Sequence, residues 1–138
     1  MKREAFQYAV VRVVPRVDRG EFVNAGVILF CRGLGYLAAR IALDRHRLAA
    51  LACDEVPHGL DEHLDTLVRV AAGAEDAGPI ARLSQSERFH WLVAPSSTVI
   101  QTSPVHTGLC DDPERMLDHL MRSLVLRSPN DTDARAAD

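Results

Sequence analysis

The sequence is poor in cysteine, and it contains no long apolar run. Its three cysteines form no CxxC pair and are odd in number, which does not suit a disulfide-stapled scaffold and favours a reducing compartment. No apolar run approaches the roughly 20 residues that a membrane-spanning helix needs. The N-terminal residues lack the uninterrupted apolar stretch and the small-residue cleavage site of a signal peptide. These absences predict a cytoplasmic protein that has no membrane segment.

Aromatic residues and lysine are also scarce. One Trp and two Tyr offer few rings for stacking on bases, and the formal net charge is −3, so the sequence does not favour nucleic acid as a partner. The charge is uneven, with a net +5 over residues 1–50 and −8 over residues 51–138. Fifteen of the sixteen basic residues are arginine, whose planar guanidinium can hold carboxylate or phosphate. Two interpretations stay open: a basic half that meets anions, or a polarised but solvated surface.

Length and composition indicate one soluble globular domain. The chain has 138 residues, of which 47% are hydrophobic and 25% are charged, and both values are ordinary for a globular protein. A domain of this length buries roughly two-thirds of its unfolded surface, so its core needs no metal or disulfide to fold. We predict a single domain over residues 1–127 and a disordered polar tail over residues 128–138.

The apolar pattern predicts a sheet near the N-terminus. A first strand ends at Pro15, and two apolar runs joined by the turn RGLG predict a β-hairpin over residues 22–43. Helical patterns follow after Asp44, which can cap a short helix, and across residues 58–73. A last helix follows Asp112, which caps it with Pro113 in the first turn, and an extended segment precedes this helix. Because no alternating βαβ rhythm is present, we predict an α+β fold. An antiparallel sheet of three to four strands should be covered on one face by three to four helices.

The centre of the predicted hairpin contains two residues that a buried strand does not favour. Asn24 and Gly26 lie in the apolar stretch FVNAGVILFC, and the period of two places both on the same face. A buried amide needs partners in the fold or in a ligand. A glycine in a strand marks a bulge or the close approach of a backbone or a ligand. Two interpretations stay open. Asn24 is a structural amide whose hydrogen bonds join a bulge to a neighbouring loop, or it belongs to a small polar site beside a notch, the space left by the missing side chain of Gly26.

Two arginines, one in the first predicted strand and one in the third, could complete such a site. An unpaired guanidinium in the middle of a strand is costly to bury, so Arg12 and Arg40 should each meet a carboxylate or a water-filled recess. If Cys31 pairs with Tyr36, Arg40 lies on the face away from Asn24, whereas a shift by one residue brings it to the Asn24 face. Arg12 therefore carries the hypothesis of a recess that binds a small anion or a peptide.

The segment SPVHTG is the second candidate motif. His106, with the hydroxyls of Ser103 and Thr107, could act as a general base or bind an anion. The spacing makes no catalytic triad evident, and a turn that shapes the entry to the last helix explains the same residues. We therefore predict His106 and Thr107 as ligand contacts and assign no catalytic residue. Neither metal-ligand spacing nor a glycine-rich phosphate loop is evident, so the sequence predicts no metal and no cofactor.

These motifs together carry a family resemblance. The segments YAVVRVVP, RGEFVNAGVILF and ERFHWLVAPSSTVIQTSPVHTGLCDDPERMLDHLMRSLV resemble the bacterial domain-of-unknown-function family 3037. The resemblance covers about residues 5–127 and implies no activity that can be carried over. It does imply a partner or a shared pathway, because genes of this family often neighbour genes for HipA-like kinase-fold proteins.

Two classes of function follow from these observations. The first is a non-catalytic binding or accessory module that works with a partner protein, for which a HipA-like kinase is the candidate. The alternative is a small enzyme that acts on an anionic substrate through Arg12, Asn24 and His106, which would then line one concave pocket. The sequence leaves the oligomeric state open, a homodimer included.

Overall fold

This computed structural model describes residues 2–52, 56–96 and 98–126, which contain five antiparallel strands and four α-helices. The strands are β1 (Glu4–Val13), β2 (Val23–Cys31), β3 (Tyr36–Ile41), β4 (Ile100–Thr102) and β5 (His106–Cys110). The helices are α1 (Arg45–Ala52), α2 (Leu60–Ala72), α3 (Gln85–Leu92) and α4 (Pro113–Leu124). None of these described helices is long and apolar enough to cross a membrane.

The predicted α+β class, the antiparallel sheet and the N-terminal hairpin are confirmed. The fifth strand arises because Pro104 interrupts the extended segment that precedes the last helix and divides it into β4 and β5. The domain boundary at residue 127 stays a prediction, since residues 127–138 lie outside the described residues.

Strand β1 is the centre of the sheet. The path runs β3-β2-β1-β4, and β5 also pairs with β1. Strand β4 pairs with Val11–Val13 and β5 pairs with Glu4–Tyr8. The two short strands therefore form one interrupted edge of the sheet along a single side of β1.

Helices cover both faces of the sheet. Alternate residues of β2 point in opposite directions, so that Ile28 and Phe30 pack in the core beneath α1, α2 and α3. Val27 and Leu29 pack in a second core beneath α4. The layering thus differs from the predicted single helical layer, because β2 is apolar on both faces and each face needs a cover.

Helix α4 begins as its sequence predicts. The side chain of Asp112 accepts a hydrogen bond from the backbone N–H of Arg115 at 3.2 Å, and Pro113 occupies the first turn. A proline there loses no helical hydrogen bond, because the first N–H groups of a helix have no partner within it. The buried stripe of the helix comprises Leu117, Leu120 and Met121.

A β-bulge in β2 reverses the orientation expected of its first residues. Val11 pairs with Gly26, but Arg12 pairs with Asn24, so Ala25 is the extra residue. Ala25 packs in the core beneath α1, α2 and α3, although regular alternation would point it to the other face. As a result, Asn24 lies on the face that α4 covers and Gly26 lies on the opposite face.

Gly26 is required because β3 leaves no room for a side chain. It pairs with Ile41, and an added Cβ would lie 2.6 Å from Cδ1 of Ile41 and closer still to the backbone oxygen of Arg40. Strand β3 therefore fills the space that the sequence indicated as a notch. The expected position of this notch beside Asn24 is corrected, since the bulge separates the two residues onto opposite faces.

The Gly26→Ala variant should lose about 3 kcal/mol of stability, the upper end of the usual cost of overpacking, because the oxygen that it meets belongs to the backbone. Gly33→Ala is the matched control. Its added Cβ would lie 2.5 Å from a carboxylate oxygen of Glu4, which can swing away, so its stability should change by about 0.5 kcal/mol or less. Urea denaturation of both variants measures the difference, and equal losses would contradict the steric role of Gly26.

Two cysteines of the core beneath α4 are buried thiols. Cys31 and Cys110 are free, and the Cys31 thiol donates to the backbone oxygen of Ala5 at 3.5 Å. Burial, together with the neighbouring Cys31 thiol, raises the pKa of Cys110 to about 11. A thiol that stays protonated near neutral pH is unreactive, so Cys110 acts as a small apolar residue. Cys53 lies outside the described residues.

Stability should fall as the pH rises from about 9 to about 11. Unfolding exposes the Cys110 thiol, whose pKa drops from about 11 to its ordinary value of 9.0. The unfolded chain therefore releases this proton at a lower pH than the folded chain does, and a rise in pH favours unfolding. Urea denaturation at pH 8 and pH 10.5 measures this loss.

The Cys110→Ala variant is the control for the alkaline loss, because it removes the ionising thiol and keeps a small buried side chain. Burial also raises the pKa of Tyr36, which acts in the same direction, so the variant should keep a smaller loss. A loss as large as that of the wild type would show that Cys110 does not cause it.

Candidate functional site

Four of the six predicted contact residues lie on the face of the sheet that α4 covers. These four are Arg12, Asn24, Arg40 and His106. Cross-strand partners share a face, and the registers of β1 with β2 and β5 and of β2 with β3 fix these positions. The other two, Gly26 and Thr107, lie on the opposite face.

Arg40 is held by an ion pair with Asp118 of α4. Cys31 pairs with Tyr36, which is the first of the two predicted registers and was expected to put Arg40 on the face away from Asn24. The bulge in β2 reverses that consequence, so Arg40 and Asn24 share a face. Arg40 meets a carboxylate as its sequence position predicts, and this carboxylate comes from the same chain.

Asn24 ties the end of α4 to the sheet. Its Nδ2 donates to the backbone oxygen of Leu124 at 3.0 Å, one of the last four carbonyls of the helix, which have no intrahelical donor. Its Oδ1 is buried, and so is Nε of its neighbour Arg12; neither atom has a hydrogen-bond partner among the described residues. The guanidinium carbon of Arg12 lies 4.2 Å from the ring centroid of Phe22, within the range of a cation–π contact.

A cleft of about 400 Å³ opens beside Asn24, between the start of β2, α1 and the end of α4. Its apolar side includes Phe22, Leu51 and Leu124, and its polar side includes Asn24, His46 and Arg47. None of the described residues that line the cleft is acidic. Across the described part of the chain, no group of three or more His, Cys, Asp or Glu side chains is placed to hold a metal ion. The cleft therefore has a cationic rim, which carries the guanidinium of Arg47, beside an apolar wall formed by Phe22, Leu51 and Leu124.

The cap of α1 positions the cationic rim. Oδ1 of Asp44 accepts a hydrogen bond from the backbone N–H of Arg47 at 3.1 Å, as the predicted capping role of Asp44 requires. This bond fixes the first turn of α1, and it thereby fixes the backbone positions from which the side chains of His46 and Arg47 extend. Sequence reasoning found Asn24 but missed these two residues, because only the packing of α1 near the start of β2 brings them together. The local signal was the run RHR directly after a capping aspartate.

His106 and Thr107 lie on β5, away from this cleft. The ring of His106 lies 5.2 Å from the ring of Tyr8, its partner on β1. Arg12 is four residues further along β1 than Tyr8, which corresponds to about 13 Å at the rise of a strand. The structure therefore brings Arg12 and Asn24 together but does not bring His106 to them.

The remaining residues of SPVHTG shape the edge of the sheet. Ser103 is buried; its hydroxyl accepts a hydrogen bond from the N–H of Val10 at 2.8 Å and donates to the oxygen of Pro104 at 2.9 Å. The hydroxyl thus satisfies an N–H of β1 where Pro104 interrupts the edge. Gly108 lies beneath Phe6, whose Cζ would be 2.7 Å from an added Cβ. Ser103, Pro104 and Gly108 therefore have structural roles.

The Ser103→Ala variant should be less stable than the wild type by about 1–3 kcal/mol, because it leaves the buried N–H of Val10 without an acceptor. Thr107→Ala is the matched control, since this exposed side chain forms no hydrogen bond within the described residues. Its stability should stay within about 0.5 kcal/mol of the wild type. Urea denaturation measures both, and an unchanged Ser103→Ala midpoint would show that Val10 finds another acceptor.

One family matches the chain. The sequence model of the family described as protein of unknown function, DUF3037, matches residues 8–125. The match begins within β1 and ends one residue past α4, so it includes the elements that form the cleft and the SPVHTG segment. No curated protein and no solved structure matches the chain. The resemblance inferred from the motifs is confirmed.

Proposed function

The chain belongs to the DUF3037 family of proteins of unknown function, and we propose that it is a binding module that works with a partner protein. The cleft between β2, α1 and the end of α4 takes an acidic segment of the partner that also carries an apolar side chain. The family resemblance suggests a HipA-like kinase-fold protein as that partner. The observation that carries the proposal is the combination, in one cleft, of a cationic rim with an exposed apolar wall.

The cationic rim supplies the affinity for a carboxylate. Arg47 is exposed, and its side chain forms no ion pair within the described part of the chain. Its neighbour Arg45, in contrast, is already paired with Asp61. A guanidinium binds a carboxylate through two parallel hydrogen bonds. Arg47 is thus the cation of α1 that is available to an incoming acidic group.

The apolar wall supplies the second part of the recognition. Phe22 is 43% exposed, and Leu51 and Leu124 are only partly buried. Covering apolar surface on binding favours a complex, because that surface is removed from water. Arg12 stacks on the ring of Phe22, which orients the ring and adds positive charge beside the cleft. An acidic segment with an apolar side chain matches both parts of this surface.

The geometry gives the enzyme alternative less support. That alternative needs Arg12, Asn24 and His106 around one substrate, yet His106 lies about four strand residues from the other two, or about 13 Å. Arg12 is stacked on Phe22, and the amide nitrogen of Asn24 is bonded to α4. Those contacts favour positioning roles over catalytic ones.

N-acetyl-leucine and the neutral N-acetyl-leucinamide are probes that test the cleft. In ¹⁵N–¹H correlation spectra, the acid should shift the amides at the start of β2, in α1 and at the end of α4. The amide should bind at least roughly tenfold more weakly, because it cannot form the charge-assisted pair with Arg47. Arg47→Gln should reduce the affinity for the acid to the level of the amide. Arg45→Gln is the matched control on the same helix and should leave the affinity unchanged.

Co-expression with a HipA-like kinase-fold protein encoded beside a gene of the family tests the partner. The wild type and Arg45→Gln should co-purify with the kinase-fold protein, and Arg47→Glu should not. If the probe binds but the kinase-fold protein does not, the cleft has a different partner. If N-acetyl-leucine and the kinase-fold protein both fail to bind, the proposed function is wrong.

A further inference from the structure

Strand β5 leaves part of one edge of the sheet open. Within the described residues, β5 pairs only with β1. The side chains of His106, Thr107 and Leu109 are exposed. Leu109 is 60% exposed, more than any other large hydrophobic residue that the structure describes. An exposed edge that carries an apolar side chain is a surface on which another strand can pair.

The alternation of the backbone shows which groups this edge offers. Strands β4 and β5 lie on the same side of β1. The N–H and C=O of Val10 point to this side, where they bond to Ser103. Even-numbered residues of β1 therefore face β5, and their partners His106, Gly108 and Cys110 bond inward. The N–H and C=O groups of Thr107 and Leu109 consequently point outward, away from β1.

The usual features that block edge pairing are missing from β5. The strand HTGLC contains no proline and no Asp, Glu, Lys or Arg, which are the residues that protect exposed edges. The opposite edge of the sheet differs, because β3 carries Arg40, which is bound to Asp118, and packs against α2. Pro104 limits the open segment to the five residues of β5. One edge of this sheet is protected and the other is open.

We propose that a second copy of this chain occupies the open edge, with the two β5 strands antiparallel about a two-fold axis at Gly108. In this register, Thr107 faces Leu109 of the second copy, and the reverse pair follows by symmetry. Each pair exchanges two N–H···O bonds. Gly108 meets its own copy at the axis, where neighbouring strands approach most closely and the lack of a side chain avoids a clash.

The side chains of β5 are complementary to themselves in this register. Leu109 lies beside the methyl group of Thr107 of the second copy and diagonal to Leu109 of that copy. The most exposed large hydrophobic side chain among the described residues is thus covered from two sides. His106 lies opposite Cys110 of the second copy, next to the acidic Asp111 that follows it, and no like charges face each other. An interface of two five-residue strands is smaller than that of a permanent dimer, so the pairing depends on concentration.

Sedimentation velocity from micromolar to millimolar protein tests the pairing. The wild type should shift from monomer to dimer as the concentration rises. Leu109→Lys places a charge on the edge and should stay monomeric throughout. Leu34→Lys is the matched control, because Leu34 is 45% exposed at the tip of the β2–β3 hairpin, away from β5, and it should dimerise as the wild type does.

Amide hydrogen exchange locates the interface independently of any variant. Exchange at Thr107 and Leu109 should slow as the wild type dimerises and should not slow in Leu109→Lys. A wild type that stays monomeric at millimolar concentration would overturn the proposal, as would a dimer in which these two amides exchange freely. A monomer that binds an extended peptide along β5 would also overturn it. Arg47→Gln should leave the dimer intact, which separates this result from that of the cleft.

Discussion

The extra residue in β2 is the constraint on which the rest of this structure depends. Because Ala25 has no partner of its own in β1, the strand turns two successive residues, Ala25 and Gly26, towards α1, α2 and α3. Asn24 is thereby turned towards α4, where its amide nitrogen reaches the backbone of Leu124. Without the bulge, the amide of Asn24 would face α1, α2 and α3. Leu124, which lines the cleft, would then lose its hydrogen bond to the sheet.

Helix α4 joins the end of the chain to its beginning. Two contacts fix it across the sheet: the hydrogen bond from Asn24 to Leu124 and the ion pair between Arg40 and Asp118. Both join residues far apart in sequence, which ties the formation of this layer to the N-terminal hairpin. The cleft and the second core beneath α4 therefore form only when the two ends of the described chain are packed together.

The sequence predicts the local structure of this protein better than it predicts how the helices are arranged on the two faces of the sheet. The periods of apolar residues and the caps Asp44 and Asp112 predict the hairpin and the first turns of two helices, because those signals act over a few residues. The cover on both faces of the sheet was missed, although the two apolar faces of β2 were visible in its pattern. The orientation of Asn24 was missed because one extra residue reverses the alternation and carries no distinctive side chain.

Site residues were predictable only where a polar group stands out in an apolar stretch. Asn24 stands out in this way, whereas His46 and Arg47 look like any exposed start of a helix. The hydrogen bond from Val10 to the hydroxyl of Ser103 becomes visible only when the two strands are paired. The ligand roles of Arg12, Asn24, Gly26, Arg40, His106 and Thr107 stay predictions.

The direction of α4 has a consequence for valency. The helix starts three residues after β5 and ends at the cleft, so its 12 residues span about 18 Å between the two surfaces. Pairing through β5 would therefore place one cleft on either side of the two-fold axis, well away from the interface. A paired molecule would offer two equivalent clefts to a partner that itself has two acidic segments. Such a bivalent arrangement strengthens binding through effective concentration, with no additional contact in either cleft.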